Sequence, residues 1–314
     1  MNTHSDAVPE SFRDSQGVAP AAMSPTRPMY WSVRRELWEN RSLYIAPLAV
    51  AALWLFGFLI SLIFPPKHPG LAPFDPAYRP AVLAMPYSHA AMLLLLTAFI
   101  VGIFYSLDAL HGERRDRSIL FWKSLPVSDR TTVLSKASIP LLVLPLLVFA
   151  IIVILQQIML LLSTAALLMS GGSGATLWRQ LPLFQMELVL LYALAVMTLW
   201  HAPLYGWLLL VSGWARRTTF LWAVLPLVAI CVVEGIAFHT SYFRSLLEDR
   251  LFGFAADAFV LHAPGSPPLD PHFILLNQLT PGRFLSSAGL WLGLVVAAGC
   301  LVAAVRLRRY REPI

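Results

Sequence analysis

Four polar side chains stand inside otherwise apolar runs of this chain: Gln156 and Gln157 in IIVILQQIML, His201 in VMTLWHAPLYGW, and Glu234 in AICVVEGIAF. An ionisable group in hydrocarbon costs several kcal/mol unless it is paired, so His201 and Glu234 are candidates for a substrate contact by default. Each also has a plain structural reading. Glu234 stands about one turn from the end of its run, where a snorkelling or hydrogen-bonded carboxylate is expected. His201 precedes Pro203, whose missing N–H frees a backbone carbonyl that a neutral imidazole would satisfy. The two glutamines suit a bridging role between helices, as amides in bilayers commonly have.

Covalent chemistry would need a recognisable constellation. The phosphate cradle GxxxxGK[ST], the zinc motif HExxH and the serine elbow GxSxG do not occur. The nearest glycine-rich stretch, SGGSGAT at 170–176, has no lysine and no preceding strand, and it reads as a loop. Cys231 and Cys300 both lie in apolar runs, without the partners that a disulfide framework or metal site requires. An intramembrane enzyme would need paired polar groups at one depth, and the four candidates are scattered over separate segments.

These residues are positioned by a chain that is 58% hydrophobic and 13% charged, with mean hydropathy +0.68, against roughly 45–50% apolar residues in soluble domains. It reads as an all-α, polytopic membrane protein. A hydrocarbon core about 30 Å thick needs about 20 apolar residues in helix. Six segments qualify: 44–64, 88–107, 138–169, 186–212, 220–238 and 286–305. The third is long enough to raise the question of two spans, but it contains no turn signal, so one helix is expected. Both termini fall on one side, and 17 of the 23 Lys/Arg residues lie there. The positive-inside rule makes that side cytoplasmic. The net charge of +6 therefore marks sidedness and calls for no nucleic acid.

Residues 1–28 are polar and rich in Pro, Ser and Ala, and read as a disordered cytoplasmic tail. Residues 29–43 (MYWSVRRELWENRSL) place Tyr30, Trp31, Val33, Leu37 and Trp38 on one helical arc, with Arg34 and Arg41 inside it, and suggest an interfacial amphipathic helix. Residues 44–314 form the transmembrane domain. Within it an outer loop, 239–285, opens on SYFRSLLEDRLFGF, whose apolar residues recur near helical spacing and predict a short helix returning to the outer membrane surface. The following APGSPPLDP is loop chemistry.

The inner loop 109–137 holds the strangest stretch, HGERRDRSILFWKSLPVSDR at 111–130. Its ILFW run is too short to span and too apolar for water, and its four residues point all round a helix, so it must be buried against something. Pro126 halts any helix, and Ser128 with Asp129 can cap the next. With the helix at 29–43, six spans and the long outer loop, this loop makes the chain resemble the ABC-2 type permeases, the membrane subunits of bacterial ATP-driven exporters. The resemblance covers residues 30–310 in architecture and is concentrated in the loop. It implies that Glu113, Arg114, Arg115, Asp116, Arg117, Trp122 and Lys123 couple to a separate ABC ATPase, which alone binds ATP. It further implies a homodimer or heterodimer with a second permease in the inner (plasma) membrane, and export by alternating access without a cofactor in this chain. A non-transporting scaffold or sensor that docks a cytoplasmic partner through the same loop fits the residues equally well.

Overall fold

In hydrocarbon every backbone N–H and C=O must be satisfied within its own segment, which drives apolar runs of this length into helix. The computed structural model describes residues 26–64, 79–116, 127–260 and 276–310. It contains six helices long and apolar enough to cross a membrane, as expected. In chain order the elements are α1 (Thr26–Glu39), α2 (Ser42–Ile63), α3 (Arg79–Asp108), α4 (His111–Arg115) and α5 (Asp129–Ser138). A π-helical segment (Ile139–Val143) leads into α6 (Leu144–Met169), then α7 (Gly174–Gln180), α8 (Leu183–Trp214) and α9 (Thr219–Val233). A second π segment (Glu234–Phe238) precedes α10 (Tyr242–Phe252), α11 (Phe254–Ala258), α12 (Pro281–Ser286) and α13 (Ala288–Tyr310). Among the described residues there is no strand, only a single bridge between Phe259 and Leu279.

Several boundaries move. The third span is one rod, but it starts at Asp129 and runs 41 residues to Met169, so the far end of the 109–137 loop is helical. Pro140 lies in this rod, and the wider π register of Ile139–Val143 absorbs its missing N–H and ring. Thr26 to Pro28, expected in the tail, form the first turn of α1, where proline loses no helical bond. Residues 1–25 lie outside the described residues, as does the APGSPPLDP stretch. The glycine-rich stretch at 170–176 turns at Gly171 (φ 79°) and is already helical from Gly174.

The main core gathers Leu43 of α2, Tyr87 and Leu94 of α3, Ile152 and Met159 of α6, and Leu209 of α8, all buried. A second core joins Val196 and Trp200 of α8 to Phe259, Phe284 of α12 and Leu290 of α13. The Gly289, Gly293, Ala297 stripe of α13 is used inside the chain, with Gly289 against Trp200 and Ala297 against Gly206. A Cβ on Gly206 would stand 3.2 Å from the Ala297 carbonyl oxygen and 3.3 Å from its Cα, both rigid backbone atoms. Gly206→Val is therefore expected to cost about 1–3 kcal/mol by overpacking. Unfolding in mixed micelles measures it, and an unchanged midpoint would contradict this helix contact.

Both ends of the described chain lie at the same end of the bundle, because Arg35 of α1 and Arg308 of α13 meet at Glu113. At the opposite end, His239 takes a left-handed conformation (φ 51°) and the chain turns back. The predicted helix after it exists as α10, with Tyr242, Leu246 and Phe252 exposed and Phe243 and Leu247 half-buried. Its last turn docks at Trp200 and His201, past the middle of α8, and α11 returns to Tyr192. At about 1.5 Å per residue, the connector dips about 13 Å along α8.

Candidate functional site

α1 presents Val33, Glu36, Leu37 and Asn40 at helical spacing toward the bundle. Val33 and Leu37 join the main core, which carries Glu36 inside with them, 1% exposed. Its carboxylate accepts from Lys136 Nζ at 2.8 Å, from the Tyr105 hydroxyl at 2.8 Å and from Arg35 at 2.8 Å. Glu113 of α4 lies beside it, accepting from Arg35 at 2.8 Å, with Lys136 at 3.2 Å and Arg308 bonded to its other oxygen. Arg308 also reaches Asp129, the first residue of α5, at 3.2 Å. Three cations thus face Glu36, Glu113 and Asp129, and Arg35 also reaches the more exposed Glu39 at 3.4 Å. Burial alone would lower the Arg35 pKa, but Glu36, Glu39 and Glu113 outweigh it and raise it, so this guanidinium stays charged.

This cluster fastens α1, α3, α4, α5 and α13 to one another at the termini-bearing end. Glu113 is thus surrounded by three cationic side chains, Arg35, Lys136 and Arg308. Glu113 and Arg114, both expected among the coupling residues, are held inside the bundle, 7% and 5% exposed. The physical reason is pairing: Arg114 donates to the Gly213 and Ala215 carbonyls at 2.9 and 3.2 Å, capping the end of α8. Ser212 completes this joint by accepting from the Leu110 and His111 N–H groups. Arg115 and Asp116 do face outward, 60% and 64% exposed, and pair with each other at 3.1 Å. Arg117, Trp122 and Lys123 lie outside the described residues. Ser128 caps α5 as its sequence suggests, accepting from Thr131 N–H at 3.1 Å.

The four polar residues in apolar runs do not converge. Gln156 donates from α6 to the Tyr87 carbonyl of α3 at 3.2 Å, and Gln157 donates to Glu187 of α8 at 2.9 Å, so both bridge helices. Glu234 accepts from Thr240 and from the Tyr242 and Phe243 N–H groups at 2.8–2.9 Å, capping α10. His201, 3% exposed, has Nδ1 at 2.8 Å from the Met197 carbonyl and Nε2 at 3.3 Å from the Leu251 carbonyl. Those are not the carbonyl that Pro203 frees, which belongs to Leu199. Phe99 and Phe254 pack edge-on against the imidazole.

No protein-family model, curated protein or solved structure matches the chain. Its own geometry therefore carries the functional reading. Sequence reasoning passed over Glu36, Lys136, Arg308 and Tyr105, which build the cluster, and Arg250, which enters between α8 and α13. Only Glu36 had a signal, its register with Val33 and Leu37. The other partners are brought together by tertiary packing. Among the described residues no group of His, Cys, Asp and Glu could hold a metal ion.

Proposed function

We propose that this chain is the membrane-spanning permease subunit of an ABC-2 type exporter, driven by a separate ATPase docked on its 109–137 region. The observation that carries the reading is the anchoring of both described flanks of that region. α4 on one side and α5 on the other are tied through Glu113, Lys136 and Asp129 to α1 and α13. A partner that displaces the segment between them moves four elements together, including the ends of two membrane-crossing helices. The excess of Lys/Arg at the termini-bearing end supports placing that end in the cytoplasm, and the exporter reading carries with it a bacterial inner membrane.

In this mechanism ATP binds to the partner only. Closure of two ATPases draws the docked segments of two permease chains together, and the bundles switch between inward- and outward-facing packings. This chain performs no covalent step. Docking falls to Arg115, Asp116, Arg117, Trp122 and Lys123, while Glu113 and Arg114 transmit the motion from inside.

The variant Arg115→Glu/Arg117→Glu/Trp122→Ala is expected to abolish copurification of an ATPase bearing GxxxxGK[ST] while leaving the unfolding midpoint of the permease unchanged. Association at the wild-type level would sink the docking assignment. ATP-dependent flux in vesicles then separates an exporter from a scaffold.

A further inference from the structure

The packing of α1 divides its residues into two faces. Val33, Glu36, Leu37 and Asn40 turn toward the bundle, and Glu36 is pinned there by Lys136 and Tyr105. The neighbouring face, an arc of about 100° at 100° per residue, carries Tyr30, Trp31, Arg34 and Trp38, and Arg41 just beyond the helix continues its register. Tyr30, Trp31 and Trp38 are 60%, 57% and 66% exposed. The Arg34 guanidinium lies 5.2 Å from the Trp31 ring and 4.7 Å from the Trp38 ring, a cation held between two indoles. This arc contains no carboxylate: Glu36 is on the packed face, and Glu39 falls about 80° beyond Trp31.

The height of the helix decides what the arc meets. Only Asn40 and Arg41 separate α1 from α2, so Trp38 lies within about a turn of a membrane-crossing helix. Tyr105, which holds Glu36, is in the last turn of α3. α1 therefore sits level with the ends of the membrane-crossing helices, where indole rings and arginines partition to the headgroup layer. We infer that the Tyr30–Arg41 face of α1 binds the headgroups of anionic phospholipids in the leaflet at the termini-bearing end. The indoles enter the acyl boundary, and Arg34 and Arg41 meet the lipid phosphates and negative headgroups. The face keeps its orientation because the buried cluster locks the other side of the helix. The inference rests on the membrane-spanning reading and is independent of any ATPase.

Quenching by brominated lipids tests it on the full-length chain in phosphatidylcholine vesicles. The difference between wild type and Trp31→Phe/Trp38→Phe isolates the two indoles. Brominated phosphatidylglycerol is expected to half-quench that difference at a mole fraction on the order of fivefold lower than brominated phosphatidylcholine, since each arginine near an anionic surface contributes a comparable factor. The advantage should vanish in Arg34→Gln/Arg41→Gln and at high salt, and persist in Arg216→Gln/Arg217→Gln. Equal quenching by the two lipids in wild type would overturn the anionic selectivity. Quenching by neither would overturn the membrane contact and assign the face to water or a protein, whatever copurification shows about an ATPase.

Discussion

Glu113→Leu is expected to destabilise the protein by about 3–5 kcal/mol, because it strands buried cations around an apolar side chain. Arg35, Lys136 and Arg308 all reach this carboxylate, and Lys136 and Arg308 are 2% and 6% exposed. Glu36 and Asp129 remain as counter-ions, but neither can take over both oxygens of Glu113. Unfolding in mixed micelles supplies the measurement. The double variant Glu113→Leu/Arg308→Met should recover part of the loss, with a coupling of about 0.5–3 kcal/mol in a double-mutant cycle. Additive losses would show that the two side chains do not interact. In the exporter reading, Glu113→Gln should also lower ATP turnover in the complex while the ATPase still copurifies. A docking role would instead abolish copurification.

Trp200→Ala should cost about 3–5 kcal/mol, the range for truncating a buried aromatic side chain. Trp200 is 1% exposed and joins three elements. Its indole N–H donates to the Asp249 carbonyl of α10 at 3.3 Å, and its ring carries the Arg250 guanidinium at 4.6 Å. Arg250 in turn donates to the Gly289 carbonyl of α13 at 2.8 Å, beside Gly293, which leaves it room. Losing the ring removes the floor on which the last turn of α10 rests. Amide hydrogen exchange in α10, α11 and α12 is expected to accelerate in the variant, while exchange in α2, α3 and α6 stays as in wild type. Trp200→Phe, which keeps the packing but not the donor, should fall between the two. Uniform acceleration over all six long helices would refute a local role for Trp200.

The apolar runs were legible because their chemistry is local. About 20 residues without charge can satisfy their backbone in hydrocarbon only as helix, whatever their neighbours are. For the same reason the single long rod, the Ser128 cap and the helix before the first span could be read from residue type and spacing. Boundaries were less legible where proline interrupts: α3 begins at Arg79, not Ser88, and keeps Pro86 inside, while the rod ending at Met169 absorbs Pro140 in a π turn. The polar residues in apolar runs were found, but not their partners. Gln157 was visible and Glu187 was not singled out, although the two share a hydrogen bond.

The sequence by itself determined an all-helical chain with six segments able to cross a membrane, an extra helix before the first, and a charged cassette around a short apolar run. Only the tertiary structure decided which charges of that cassette face inward. Glu113 and Arg115 are two residues apart on a short helix that carries no apolar face to orient it. Glu113 is buried by partners 78 and 195 residues away, Arg35 and Arg308, whereas Arg115 stays exposed beside Asp116. Composition likewise left the 239–285 segment as a surface element, and hydrogen bonds from Trp200 and His201 tie the last turn of its first helix to α8. The physical reason is the same in both places. Helix formation in an apolar run depends on the chain's own backbone, whereas the direction of a charge depends on counter-ions and carbonyls that other helices supply.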